Sequence, residues 1–185
     1  MMQRAGRLTD VDSSERIQRK FEYQPPFGWI GEIGMSDSIV IDTMRTDDAA
    51  RVAELSSQLG YPTPTDEMRM RIASLAGIPH EGLLVARDGE VVGWIHVHHT
   101  TYLQSGKAAE VTGLVVQDTH RSKGIGAALL QAAESWAIAQ GLGRLRVRSN
   151  IVRADAHRFY ERAGYRRAKT SLVFEKNLTT IGTES

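Results

Sequence analysis

The feature that most constrains the fold is the succession of three patterns in residues 108–140. "AAEVTGLVVQ" (108–117) is an apolar run that predicts a strand, and "GIGAALLQAAESWAIAQ" (124–140) places apolar residues at helical spacing. "RSKGIG" (121–126) lies between them, with two glycines and two basic residues. The first N–H groups of a helix are unpaired and attract anions. The pattern therefore predicts either a phosphate-binding turn or a turn that uses glycine only for its backbone angles.

The remaining segments predict one domain of mixed α/β or α+β class, with the order β-α-α-β-β-β-α-β-α-β. Asp88-Gly89 separates two apolar runs and predicts a hairpin. Thr46 is predicted to cap the first helix, and Thr65 the second. The other predicted elements are a strand at 39–45, helices at 46–60 and 65–77, a strand at 144–149, a helix at 153–164 and a final strand at 171–178.

Composition excludes several classes of function. The 185 residues include no cysteine, which excludes disulfides, thiolate zinc sites and a cysteine nucleophile. A net charge of +1 gives no reason to expect a nucleic-acid partner. No apolar run approaches the roughly 20 residues of a membrane span, and no secretory signal precedes the domain. We expect a cytoplasmic protein without a membrane partner, either a monomer or a homodimer.

The two ends of the chain lack sustained patterning. Residues 1–38 are predicted to form an N-terminal extension that is flexible, or that is not translated because Met35 is the true start. The alternative is an arm that packs on the domain through Phe27, Trp29 and Ile30. Residues 179–185 are predicted to be a C-terminal tail.

Two motifs together resemble the GNAT superfamily of acyl-coenzyme A-dependent N-acyltransferases. The turn matches the family pattern [QR]-x-x-G-x-[GA], and "SNIVRADAHRFYERAGY" (149–165) resembles the family's A-x-x-F-Y-x-x-x-G-[FY] segment. The resemblance covers residues 39–178. It implies the GNAT fold, a mixed central sheet with splayed fourth and fifth strands flanked by helices. It departs from the family at Asp118, where many members have proline.

The resemblance also implies acetyl-CoA as co-substrate and a set of residues that contact it. Backbone groups of the fourth strand would pair with the pantetheine arm, and the N–H of Val116 would polarise the thioester carbonyl. The N–H groups of the turn would hold the pyrophosphate. The implied contacts are Leu114, Val115, Val116, Arg121, Ser122, Lys123, Gly124, Ile125, Gly126, Ala127 and Asn150.

The family chemistry, direct attack of an amine on a thioester, requires an acid and a base. Tyr160 stands at the family's general-acid position, where a phenol donates a proton to the departing thiolate. Glu110 lies at the spacing of a glutamate that serves some members as base. His96 and His98 lie on one strand face and are the alternative bases. No metal site is expected, because His98 and His99 lack an acidic or cysteine partner at metal-binding spacing.

The acceptor is predicted to be a primary amine of a small molecule. The C-terminal segment resembles a subgroup that includes aminoalkylphosphonate N-acetyltransferases, and aminoglycosides and polyamines remain open. Tyr61 and Arg71 lie where the family builds its acceptor lid. Arg144, Arg146 and Arg148 alternate along one strand and predict a solvated face or part of an acceptor site. A non-catalytic GNAT-like acyl-CoA sensor or interaction module, and an unrelated nucleotide-binding domain, are the other functions considered.

Overall fold

The computed structural model describes residues 39–178, and within this range five strands form one mixed sheet. The strand order is β1-β2-β3-β4-β5. Neighbouring strands are antiparallel from β1 to β4, and β5 runs parallel to β4. The predicted mixed sheet flanked by helices is confirmed. The strands are β1 (Val40–Thr43), β2 (Glu81–Asp88), β3 (Glu90–Tyr102), β4 (Gly106–Val116) and β5 (Leu145–Val147).

Helices cover both faces of this sheet. Buried residues of α1 and α2 form one apolar cluster with Leu83, Val85 and Val115. Buried residues of α3 form a second cluster on the opposite face, which includes Ile95 and Val111. The alternation of apolar side chains along β2, β3 and β4 supplies both clusters, since successive residues point to opposite faces. The helices are α1 (Ala49–Gln58), α2 (Thr65–Leu75), α3 (Ile125–Ala139) and α4 (Ala154–Arg162).

The first helix begins differently from the prediction that Thr46 caps it. A 3₁₀ turn, Thr46–Asp48, precedes α1, and its N-cap position is Arg45. Asp48 is buried, accepts the Arg45 N–H at 2.8 Å and pairs with the Arg87 guanidinium at 2.8 and 2.9 Å. The cap prediction was wrong because a tertiary partner on β2 holds the acid at this corner.

The predicted final strand is also wrong. Residues 166–178 form neither helix nor strand, and Leu172, Val173 and Phe174 are 81–89% exposed. A strand exists only beside a hydrogen-bonding neighbour, and an apolar run in the sequence does not show whether one is present. The predictions for residues 1–38, including Met35, and for residues 179–185 lie outside the described residues.

The sheet opens between β4 and β5. Registered pairs join Ala109 to Leu145, Glu110 to Arg146 and Val111 to Val147, and then stop. β4 continues to Val116 while still paired with β3. Among the described residues, 112–116 therefore have one backbone edge without a strand partner, as the expected splayed strands require. Along residues 39–178, none of the helices combines the length and apolar character that crossing a membrane demands.

Candidate active site

The free edge of β4 presents two backbone groups toward the opening. The Gln117 N–H donates to the Val92 carbonyl at 2.8 Å, so Gln117 faces β3. Antiparallel residues alternate between the two sides, which turns Val115 toward β3 and turns Leu114 and Val116 toward the open edge. Of the three predicted strand contacts, Leu114 and Val116 thus offer unpaired N–H and C=O groups, whereas Val115 is buried against α1 and α2.

The turn that follows β4 has the geometry of an anion-binding loop. Ser122 and Gly124 have φ angles of 63° and 81°, and left-handed residues in such a turn point successive N–H groups inward. The first backbone bond of α3 runs from the Ala128 N–H to the Gly124 carbonyl at 3.0 Å. Among residues 39–178, the N–H groups of 122–127 find no acceptor. The turn therefore fits a phosphate group.

The two basic residues of the turn differ in their surroundings. Arg121 pairs with Asp118 at 2.6 Å, and both side chains are more than half exposed. Lys123 is exposed and has no ion-pair partner within the described part of the chain. The backbone N–H groups are thus the principal candidates for holding an anion, with the exposed Lys123 side chain beside them.

Gly126 lies where the start of α3 meets α4 and β4. A Cβ atom at this position would lie 3.4 Å from the Phe159 ring and 3.7 Å from Val116 Cγ2. The space at Gly126 is therefore bounded by the Phe159 ring and by Val116 of β4.

Tyr160 lies in an aromatic cluster that packs against the core on the α3 side of the sheet. Its ring centroid lies 5.1 Å from that of Phe159 and 6.0 Å from that of Tyr165. Burial raises the pKa of the Tyr160 phenol, and the charge of Arg153 opposes this only in part. The phenol is therefore protonated near neutral pH and is able to act as a proton donor.

A pocket of about 200 Å³ lies between the α1–α2 layer and the sheet. Three of the four predicted substrate contacts, Tyr61, Arg71 and His96, line it. Thr112 and Gly113 line it too, and they are the first β4 residues beyond the last β4–β5 pair. The pocket therefore reaches the point where the sheet opens. Its other lining residues are Met44, Val52, Ser56, Leu59, Thr63, Met68, Ile72, Leu75, Leu83 and Trp94.

His96 has a carboxylate partner that the sequence did not reveal. His96 Nε2 lies 2.7 Å from Oε2 of Glu81 at the start of β2, and both side chains are largely buried. With the Nε2 proton directed at the carboxylate, Nδ1 is the ring's free acceptor. No spacing motif links residues on neighbouring strands, so only the sheet register brings the pair together.

Glu110 is committed to a different set of contacts. Its side chain is buried, pairs with Arg148 and accepts from the Tyr102 hydroxyl at 3.3 Å. Its hydrogen bond to Arg148 raises the pKa of that guanidinium. Glu110 does not line the pocket, and neither does His98. Of the three predicted bases, His96 therefore lines the pocket, whereas Glu110 and His98 do not.

The three arginines in and directly beside β5 bind the β3–β4 hairpin, so they do not face only solvent. Arg144 donates to the Ser105 carbonyl at 2.6 Å, and the Arg146 guanidinium lies 5.4 Å from the centre of the Tyr102 ring. Together with Arg148 they fasten β5 to the β3–β4 hairpin. Within residues 39–178, no three His, Cys, Asp or Glu side chains are grouped so that they could hold a metal ion.

Asn150 organises the chain before α4. Its Oδ1 accepts from the Val152 N–H at 3.2 Å, and its carbonyl accepts from the Arg153 N–H at 3.0 Å. His157 Nε2 lies 3.1 Å from the same carbonyl. The predicted cofactor contact of Asn150 would have to use its amide NH₂.

Comparison with known proteins places this arrangement in a family. Residues 49–165 match the model described as the acetyltransferase (GNAT) family. An aminoalkylphosphonate N-acetyltransferase of Salmonella typhimurium (strain LT2) is 40% identical over 91 residues, which cover 46% of this chain and 56% of that protein. The chain thus spans little more than half the length of that relative.

Two further comparisons cover more of the chain. A type 1 aminoglycoside N(6')-acetyltransferase of Stenotrophomonas maltophilia is 29% identical over 138 residues, covering 71% of this chain and 88% of that protein. The structure of an aminoglycoside N-acetyltransferase in complex with CoA superposes with a TM-score of 0.70 at 16% identity. That match covers 79% of this chain and 99% of the other. It supports the fold.

Proposed function

This chain belongs to the GNAT family of acetyltransferases, and from that premise we propose that it transfers the acetyl group of acetyl-CoA to a primary amine of a small molecule. One observation carries the proposal. The pocket between α1, α2 and the sheet meets the open edge of β4 at Thr112 and Gly113. An amine in the pocket and a thioester along the edge would therefore meet at one point.

The residues present fit acetyl-CoA along a continuous path. The unpaired N–H groups of 122–127 would take the pyrophosphate at the N-terminus of α3. The free edge of β4 would pair with the amide groups of the pantetheine arm, as a peptide adds to a sheet edge. Leu114 and Val116 would supply the backbone partners. Leu114 adjoins the pocket, so its N–H is better placed than that of Val116 to polarise the thioester carbonyl.

The reaction balances with the side chains around this point. The neutral amine attacks the thioester carbon, a C–N bond forms and the C–S bond breaks. The amine nitrogen loses two protons in all: one before attack, because an alkylammonium has a pKa of about 10 and is not nucleophilic, and a second as the C–N bond forms and the amide is released. The departing CoA thiolate takes a proton from the Tyr160 hydroxyl, which burial keeps protonated. Solvent then returns that proton to the phenolate.

For the base we propose His96 rather than Glu110. His96 lines the pocket and is oriented by Glu81, as a carboxylate orients the histidine of other acid–base pairs. Glu110 lies outside the pocket, and its carboxylate is already bonded to Arg148 and Tyr102. A proton from the amine would pass to His96 Nδ1 and then to water. Glu110 would hold β4 and β5 together beside the opening.

Thermal unfolding with acetyl-CoA, and with ATP and NAD as controls, tests the cofactor. Ligand at about 100 times its Kd stabilises a protein by about 2.7 kcal/mol, and each kcal/mol shifts the midpoint of a chain this long by roughly 2–4 °C. We expect a selective rise with acetyl-CoA. No rise, or an equal rise with ATP, would reject the acetyltransferase assignment.

Release of free CoA thiol then separates an enzyme from a non-catalytic acyl-CoA sensor. The protein has no cysteine, so a thiol reagent reports CoA alone. Amine-dependent thiol release is expected. Selective binding of acetyl-CoA without release for any amine class would favour the sensor.

A further inference from the structure

The residues that line the pocket favour some amines over others. The inner wall of the pocket is built from buried apolar side chains of both helices and the sheet, including Val52, Met68, Ile72 and Leu83. Apolar walls bind apolar bodies, since both surfaces leave water on contact. The inner wall therefore favours a hydrocarbon ligand surface.

The polar groups of the wall are mostly engaged by the protein itself. Ser56 Oγ donates to the Val52 carbonyl at 2.6 Å. Arg71 pairs with Glu67 at 2.5 Å, and its side chain is 54% exposed. The Arg71 charge is thus paired with Glu67, which weakens Arg71 as a receptor for a phosphonate or another anion.

No lining residue contributed by the described part of the chain carries a carboxylate. A polycationic acceptor would bring several ammonium groups against this wall, and each buried ammonium needs a partner. The volume of about 200 Å³ is also below the roughly 300–1,000 Å³ of sites that enclose drug-sized ligands. The pocket therefore disfavours an aminoglycoside on both charge and size.

We infer that the acceptor is a small monoamine with an apolar alkyl or aryl body, an inference that rests on the proposed acetyltransferase function. The single amino group lies at His96, Thr112 and Gly113, where the open edge of β4 begins. The body extends between α1 and α2 toward Met68 and Ile72. Acetylation leaves a neutral amide, so the product carries no charge into the apolar pocket.

The test compares three acceptor classes in the thiol-release assay with the full chain. The acceptors are 2-phenylethylamine, 2-aminoethylphosphonate and the aminoglycoside kanamycin, at equal concentration and saturating acetyl-CoA. We expect kcat/KM for 2-phenylethylamine to be at least about tenfold higher than for either of the other two acceptors. This is the lower end of the roughly 10–200-fold discrimination that an apolar pocket supplies.

A matched pair of variants tests whether this pocket is responsible. Leu59 lines the pocket, and Ile138 is 74% exposed on α3, across the sheet. Leu59→Trp should raise the KM for 2-phenylethylamine about tenfold, leave the KM for acetyl-CoA unchanged and affect ethylamine less. Ile138→Trp should change none of these values.

The outcomes separate the two proposals. Higher kcat/KM for the phosphonate or for kanamycin would overturn the monoamine inference and leave the acetyltransferase intact. An equal effect of Leu59→Trp and Ile138→Trp would overturn the assignment of this pocket. Thiol release with none of the three classes would overturn the monoamine inference, whereas rejection of the acetyltransferase proposal requires that acetyl-CoA also fails to raise the unfolding midpoint selectively.

Discussion

His96 Nε2 and Glu81 Oε2 lie 2.7 Å apart on adjacent strands, at the wall of the pocket that meets the open edge of β4. The register places Glu81 opposite His98 and His96 opposite Leu83, so the contact runs diagonally across the strand pair. We propose this pair as the acid–base unit next to the pocket, whereas the buried Glu110 is bonded to Arg148.

The first prediction separates these two candidate bases. His96→Gln should lower kcat about 10²-fold, with little change in the KM for acetyl-CoA. A loss of this size is at the lower end of what a general base contributes to the rate. Glu110→Gln should lower kcat much less. His80→Gln, at an exposed histidine outside the pocket, is the control. A larger loss with Glu110→Gln than with His96→Gln would assign the base to Glu110.

Gly126→Asp should abolish acetyl-CoA binding without unfolding the protein. The new side chain would start 3.4 Å from the Phe159 ring and add a negative charge at the N-terminus of α3, where the phosphates are proposed to bind. Gly143→Asp adds the same charge at a position with open space around it and should bind normally. The thermal shift produced by acetyl-CoA measures both, and a normal shift for Gly126→Asp would contradict the phosphate assignment.

Tyr160→Phe should keep acetyl-CoA binding and lower kcat. Burial raises the pKa of this phenol above its usual value of about 10. The phenol of Tyr160 therefore stays protonated, and able to donate a proton, as the pH rises. Ionisation of Tyr160 should lower kcat only above about pH 10. A kcat profile against pH checks this, and equal kcat in Tyr160→Phe would remove Tyr160 as the acid.

Arg148→Ala should destabilise the fold, because it leaves the buried Glu110 carboxylate with Tyr102 as its remaining partner. The Arg148 side chain is 64% exposed, so solvent moderates the cost to about 1–2 kcal/mol. Arg144→Ala, which removes one exposed hydrogen bond to the Ser105 carbonyl, should cost less. Midpoints of denaturant unfolding compare the two, and equal midpoints would show that Glu110 does not depend on Arg148.

Tyr165→Phe tests the aromatic cluster through alkaline stability. The Tyr165 hydroxyl donates to Glu134 at 2.7 Å, and burial together with that carboxylate raises its pKa. The neutral phenol therefore stabilises the fold below about pH 10, and this contribution declines as pH rises further. The variant should lose about 1 kcal/mol near neutral pH.

The same variant should lose less stability than the wild type as the pH rises from about 10 to about 12. Parallel declines in the two proteins over this range would show that Tyr165 is not the titrating group.

The glycine turn and its two flanking elements could be predicted from local sequence. An apolar run, two glycines and a helix-forming run predicted β4, the turn and α3 within one or two residues, because each depends on neighbours in the chain. The turn's anion-binding geometry also follows locally, since Ser122 and Gly124 adopt left-handed angles beside the unpaired N–H groups of α3. The family resemblance rests on these residues together with the segment 149–165.

The pocket and its acid–base pair were decided by tertiary structure. His96 and Glu81 are 15 residues apart and meet only through the β2–β3 register. Glu110 has favourable spacing, yet it does not line the pocket and its carboxylate pairs with Arg148, directly after β5. Within residues 39–178, no strand lies beside the apolar run at 171–178, and this run forms no strand. Periodicity and capping report interactions among near neighbours, whereas proton acceptors, ion pairs and strand partners depend on segments that only folding brings into contact.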